Sequence, residues 1–238
     1  MLRQSLGPVM VAAALSVGCS VESSHPPLPA PPPRAPTVSV SNAGSSVPSN
    51  VADSIDAVEA VAIRSAQGRV SRAGSELRIQ LLDGRIAVLQ DDTTEGVHFA
   101  LLRYAGYLKA IHSHVVHRIP YEGIGAYLVI SDSTGDSTIV FGMPVMSPDG
   151  TRFVFTSMAG EADYDPALIE VWRMVARRPE KEFSYDSGKD DPWDPSDAVW
   201  RDSTTIDFVK NSRLAPYPTA PGRLVRTGTT WAMSEPPH

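Results

Sequence analysis

A chain of 238 residues with 42% hydrophobic and 20% charged side chains can bury one substantial core, and is neither collagenous nor disordered throughout. Its 21 basic against 27 acidic residues leave a net charge of −6, which argues against a nucleic-acid partner held through phosphates. A single cysteine excludes a disulfide framework and any multi-cysteine zinc or iron–sulfur centre.

The N-terminus reads as a secretory leader over residues 1–18. Arg3 supplies a positive start, and Leu6 to Val17 is an uncharged, mostly apolar run of twelve residues. At ~1.5 Å per residue such a run spans roughly 18 Å, short of the ~30 Å hydrocarbon core of a bilayer. Cys19 ends the segment. Residues 20–50 follow with eight prolines, many serines and no aromatic residue, a composition too poor in apolar surface to offset ordering entropy. Residues 19–52 therefore read as a linker, extended by its prolines and long enough to hold a domain away from a surface.

From residue 53 onward the composition becomes that of a folded domain. Ser54 ahead of Ile55, Val58 and Ala62 predicts a short helix with those apolar residues on its buried stripe. Period-two alternation then begins. Leu77, Ile79 and Leu81 alternate with polar residues, and Ile86 and Val88 lie beyond Asp83-Gly84, which predicts a hairpin on a two-residue type I′ turn. Further strands are expected at 97–102, 114–119, 126–131, 137–141, 152–157, 168–174, 205–209 and 223–226. Helical periodicity is essentially absent after residue 66. The fold class is all-β and antiparallel.

Two segments resemble known sequence patterns. Leu15-Ser16-Val17-Gly18-Cys19 resembles a bacterial lipobox, with Ser16 where leucine is usual and Leu15 one place earlier. That resemblance implies that Cys19 is diacylated and begins the mature chain, and that Ser20 after it favours the outer membrane. Met146-Ser147-Pro148-Asp149-Gly150-Thr151-Arg152-Phe153-Val154-Phe155 resembles the WD40-like propeller repeat of TolB-type periplasmic proteins. In that repeat Ser-Pro-Asp-Gly turns between the first two strands of a blade, and Leu168–Trp172 then falls at the third. Val199–Phe208 echoes the pattern with Asp202-Ser203 for Asp-Gly, about fifty residues on. Tyr127–Gly135 looks like an outer strand and turn. The resemblance implies three to four blade-like units, forming a propeller, a partial propeller or an open array of sheets. A β-sandwich with fortuitous turns is the alternative.

Candidate chemistry is sparse. His112, His114 and His117 form an H-x-H-x-x-H group, yet in a strand the first two share one face and the third points away, a poor metal site. Glu161, Asp163, Asp165, Asp190, Asp191 and Asp194, together with Asp186, Asp197 and Asp202, are placed in loops that could gather into an acidic binding face. No P-loop, nucleophile elbow or H-E-x-x-H is present, so no catalytic residue and no cofactor is assigned. The expected function is a lipid-anchored binding module facing a protein partner in the bacterial envelope, with the membrane reached through Cys19. The alternatives are an envelope hydrolase with catalytic residues scattered on blade loops and a purely structural role.

Overall fold

The computed structural model describes residues 51–94, 96, 98–121, 125–159, 166–187, 193–214 and 216–234. Among the described residues one α-helix, α1 (Val51–Ser65), precedes fifteen strands, with a 3-10 turn at Lys109–Ile111 between the fourth and fifth. The strands form four separate antiparallel sheets, each a meander in chain order. The first holds β1 (Val70–Ala73), β2 (Glu76–Gln80) and β3 (Ile86–Gln90). The second holds β4 (Ala100–Leu108), β5 (Ser113–Pro120), β6 (Ala126–Ser131) and β7 (Ser137–Val140). The third holds β8 (Val145–Met146), β9 (Arg152–Thr156), β10 (Leu168–Val175) and β11 (Arg178–Asp186). The fourth holds β12 (Trp193–Trp200), β13 (Thr205–Ser212), β14 (Thr219–Thr227) and β15 (Thr230–Ser234).

Each sheet is too small to bury its own faces, so the sheets bury one another. Leu77, Ile79 and Leu81 of the first sheet share a core with Leu102, Tyr104, Val116 and Ile130 of the second. Val129 and Val140 of the second meet Phe153, Phe155 and Leu168 of the third. Val154, Ile169 and Val171 of the third meet Trp193, Ile206, Phe208 and Leu224 of the fourth. Alternate residues of β9 thus serve different neighbours, which is why Arg152-Phe153-Val154-Phe155 is buried without a break. Burying each such large apolar side chain is worth about 1.5–3 kcal/mol. Among the described residues no core cluster joins the fourth sheet back to the first, and the four sheets follow one another as blade-like, propeller-like units.

The expected turn chemistry holds where the propeller-like repeat was read. Ser147–Thr151 connects β8 to β9: the Thr151 N–H donates to Asp149 Oδ1 at 3.0 Å and the Arg152 N–H donates to Ser147 Oγ at 3.0 Å. Asp202 does the same job between β12 and β13, accepting from the Thr204 N–H at 2.7 Å. Leu168–Trp172 falls in β10, the third strand of its sheet.

Two expectations are corrected. The hairpin at Asp83-Gly84 turns through three residues: the Leu81 N–H bonds Arg85 O, the Gly84 N–H bonds Leu81 O, and of the Asp83-Gly84 pair Gly84 alone has positive φ (+85°). A two-residue turn with both central residues at positive φ does occur, at Ala176 (47°) and Arg177 (69°) between β10 and β11, where no glycine announces it. Val58 is not on the buried side of α1: it is 67% exposed, whereas Glu59 is 4% exposed and Ala62, Ile63 and Ala66 pack on the core.

Electrostatics explain that rotation of the helix. Glu59 accepts from the Tyr104 N–H at 2.7 Å and from Arg72, whose Nε lies 2.8 Å from Oε2. Asp91 continues the network, taking the Leu102 N–H at 2.8 Å and the Arg103 guanidinium at 3.1 Å, and Arg103 reaches back to Asp56 of the helix at 2.9 Å. β4 is the first strand of its sheet, so these carboxylates satisfy edge N–H groups that no strand pairs. Replacing Glu59 by Ala should leave Arg72 and the Tyr104 N–H without their partner. The expected loss is on the order of 2–4 kcal/mol in urea unfolding; a loss no larger than that of an exposed-site control such as Glu180→Ala would show that apolar contacts alone dock the helix.

Candidate functional site

The candidate site is a cleft of about 720 Å³ between α1 and β4, walled by Val58, Val61 and Ala62 on one side and by Tyr104 to Tyr107 on the other. An irregularity in β4 creates its far wall. The register with β5 slips between Tyr104 and Gly106, where Gly106 adopts φ +141°. One extra residue in an alternating strand brings Tyr104 and Tyr107, three apart, to the same face. Both consequently reach His114, with ring centroids 5.9 and 4.9 Å away.

Asp132 lies behind them at the end of β6 and has no solvent exposure. Its carboxylate receives the Arg69 guanidinium and, at 2.8 Å, the Tyr107 hydroxyl, while His114 Nε2 stands 3.4 Å off. The Tyr104 hydroxyl lies 3.1 Å from His114 Nδ1, and if it donates there the neutral ring carries its proton on Nε2, facing Asp132. Arg69 also lies 5.6 Å from the Tyr107 ring centroid. A buried carboxylate is tolerable only when so matched.

Protonation states follow from these neighbours. Burial pushes the Asp132 carboxyl up, but the hydrogen bonds from Arg69 and Tyr107 and the charges around it outweigh burial and hold it below its ordinary value. Burial drives His114 down, and the Asp132 charge only partly opposes it. Burial pushes the Tyr104 phenol up to about 12, and burial with Asp132 raises Tyr107. At neutral pH the cleft floor therefore carries an ion pair, a neutral imidazole and two protonated phenols. None of these is an activated nucleophile.

The sequence-predicted acidic residues fall elsewhere. Glu161, Asp163, Asp165, Asp190 and Asp191 lie outside the described residues, as does Cys19. Asp194 is not in a loop: it sits in β12, accepting from the Ala159 N–H at 3.2 Å and paired with Arg213 at 3.2 Å. Asp186 closes β11, and Asp202 turns beyond the far end of β12. The seven residues from Asp194 to the end of that strand span roughly 20 Å, so Asp194 and Asp202 are not brought together. Of the three histidines, His112 precedes the strand in a left-handed conformation (φ 47°), His114 is buried, and His117 stacks on Tyr127 at 4.4 Å. Among the described residues no group of three or more metal-ligating side chains is assembled, and no helix is long and apolar enough to cross a membrane.

The cleft was not foreseen from the sequence. Its two tyrosines lie at a spacing that a regular strand would place on opposite faces, and Asp132 and Arg69 stand 63 residues apart. A glycine inside a strand pattern, Gly106 between Ala105 and Tyr107, was the available signal.

No known family pattern and no curated protein sequence matches the chain. Among solved structures, the crystal structure of the N-terminal domain of Nup159 is similar over 70% of this chain, at 9% identity and a TM-score of 0.33. The similarity covers 47% of that domain, so the chain spans about half the length of the structure it matches. The fold assignment rests on the four sheets themselves.

The buried network makes a pH prediction. His114 takes up a proton less readily folded than unfolded, where its value is about 6.5. Protonation therefore favours the unfolded chain, and stability falls as pH drops through about 6.5. Asp132 adds a lower limb: its depressed carboxyl contributes stability above about 3.8 that is lost on further acidification. Urea unfolding at about pH 7.5 and about pH 5 should show a clear decline for the native chain and a flatter one for His114→Gln. Equal slopes for the two proteins would remove His114 as the cause.

Proposed function

We propose that this chain is a lipid-anchored envelope protein that works as a binding module, with its β-sheet array carried beyond the membrane on the proline-rich tether. The observation that carries the binding reading is the cleft floor. It is fixed by a buried carboxylate matched to a half-buried arginine and lined by groups that are chemically quiet at neutral pH. A site built to hold something needs rigid walls and placed hydrogen-bonding groups. A hydrolase that works through a protein nucleophile needs that nucleophile and a base in contact. Among the described residues no serine, threonine or cysteine side chain bonds to His114, whose polar neighbours are Tyr104 and Asp132. The propeller-like stacking of sheets, commonly an interaction scaffold, supports the same reading.

Anchoring is read from Cys19 at the end of the apolar run, and from the length of residues 20–50. Two acyl chains on one cysteine give stable membrane attachment where a single chain is marginal. The partner is a protein of the cell envelope, and an outer-membrane location follows from Ser20 after Cys19. Cys19→Ala should lose labelled palmitate and move from the detergent phase to the aqueous phase after Triton X-114 partition. A variant that still partitions with detergent and still incorporates the label would sink the anchor.

A further inference from the structure

We propose that the cleft between α1 and β4 takes an extended peptide carrying an acidic residue, added as a further strand along the open edge of β4. The inference rests on the binding-module reading and names the ligand of its site.

The edge itself is the first observation. On β4, Leu102 and Tyr104 turn their main-chain groups away from β5, and side chains of other elements fill those positions. Asp91 takes the Leu102 N–H, Glu59 takes the Tyr104 N–H, and Arg72 donates to Leu102 O. Beyond the irregularity the Asp132 N–H donates to His112 O, so alternate residues from His112, including His114, turn their main-chain groups toward β6, and Tyr107, in register with His114, again presents its N–H and C=O to the outer side. No described side chain takes these groups, and they border the cleft. Main-chain groups of this kind are a template for strand addition. Among the described residues the same edge is thus filled by side chains at Leu102 and Tyr104 and left unfilled at Tyr107.

The cleft wall is the second observation. Val58 (67% exposed) and Val61 (54% exposed) of α1 face it, offering apolar contact to alternate side chains of an added strand.

Charge selects the occupant. The whole chain carries −6, yet among the described residues no carboxylate lines this cleft, while Arg69 and Lys109 do. Asp132 neutralises Arg69, so the exposed Lys109, just past the end of β4, supplies the net positive charge. An acidic side chain or a terminal carboxylate on the added strand would meet it there.

The test uses the full chain in detergent and a labelled hexapeptide, Val-Thr-Val-Thr-Val-Glu, with a free C-terminus. Fluorescence anisotropy should show binding that weakens as salt rises. Methylating alternate backbone nitrogens of the peptide should abolish it, because the strand hydrogen bonds go. Lys109→Glu should weaken binding at least tenfold, and so should Val61→Glu, which alters an exposed position and should leave the unfolding midpoint unchanged. Hydrogen exchange at the Tyr107 amide should slow on adding the peptide. Equal binding of the methylated peptide, unchanged Tyr107 exchange, or retention of dodecanoate with no retention of any peptide would overturn strand addition. The binding-module reading fails separately: it falls if the purified chain turns over an envelope ester or glycan, whatever the peptide result.

Discussion

A four-stranded antiparallel meander has two faces and cannot hide either one alone, and this constraint shapes the whole molecule. The third sheet shows it most plainly, with Phe153 and Phe155 committed to the second sheet and Val154 to the fourth. Polar staples fix the stacking where apolar contact alone would allow sliding. Trp200 Nε1 donates to Val145 O at 2.9 Å across the third and fourth sheets. Glu182 on β11 accepts from Arg152 of its own sheet at 2.6 Å and from Trp231 of the next at 3.1 Å. The interface between the third and fourth sheets is thus specified by a hydrophobic match and by directional bonds.

An array built this way leaves edges, and the edge of β4 is handled by a helix rather than by a strand. Three carboxylates around Arg72 and Arg103 take on the work of a missing neighbour, and α1 is oriented by them more than by its own apolar stripe. The burial of Glu59 in place of Val58 follows directly, since a carboxylate with several charged and amide partners overrides a single valine contact. What the helix leaves open, past Tyr104, becomes the cleft. Structure and candidate function are therefore two consequences of the same incomplete edge.

The interior of that cleft is governed by one buried carboxylate. Asp132 is matched by Arg69 and Tyr107, and the neutral His114 completes the contact without adding charge. Such a network fixes side-chain orientation, but it also holds phenol and imidazole in their uncharged forms. Rigidity and chemical quiet come from the same low-dielectric surroundings.

Much of the architecture was legible in the chain. Period-two alternation located most of the strands, β6 to the residue, because alternation is a direct imprint of a half-buried pleat. Ser147-Pro148-Asp149-Gly150 marked a turn between first and second strands, because side-chain and φ requirements there are local. Strand β12 was hidden, since Asp194-Pro195 reads as a loop, and proline is admitted only because β12 lies at the edge of its sheet. Strand β11, largely charged and on the outer edge, carried only Phe183 and Tyr185 as an apolar signal. By itself the sequence determined an all-β chain with a leader-like start, a proline-rich stretch and blade-spaced turns, all properties set by neighbours within a few residues. Only the tertiary structure decided which face of α1 is buried, that an extra residue in β4 aligns Tyr104 with Tyr107, and that Arg69 meets Asp132. These depend on pairing register and on contacts between distant segments, which no local pattern encodes.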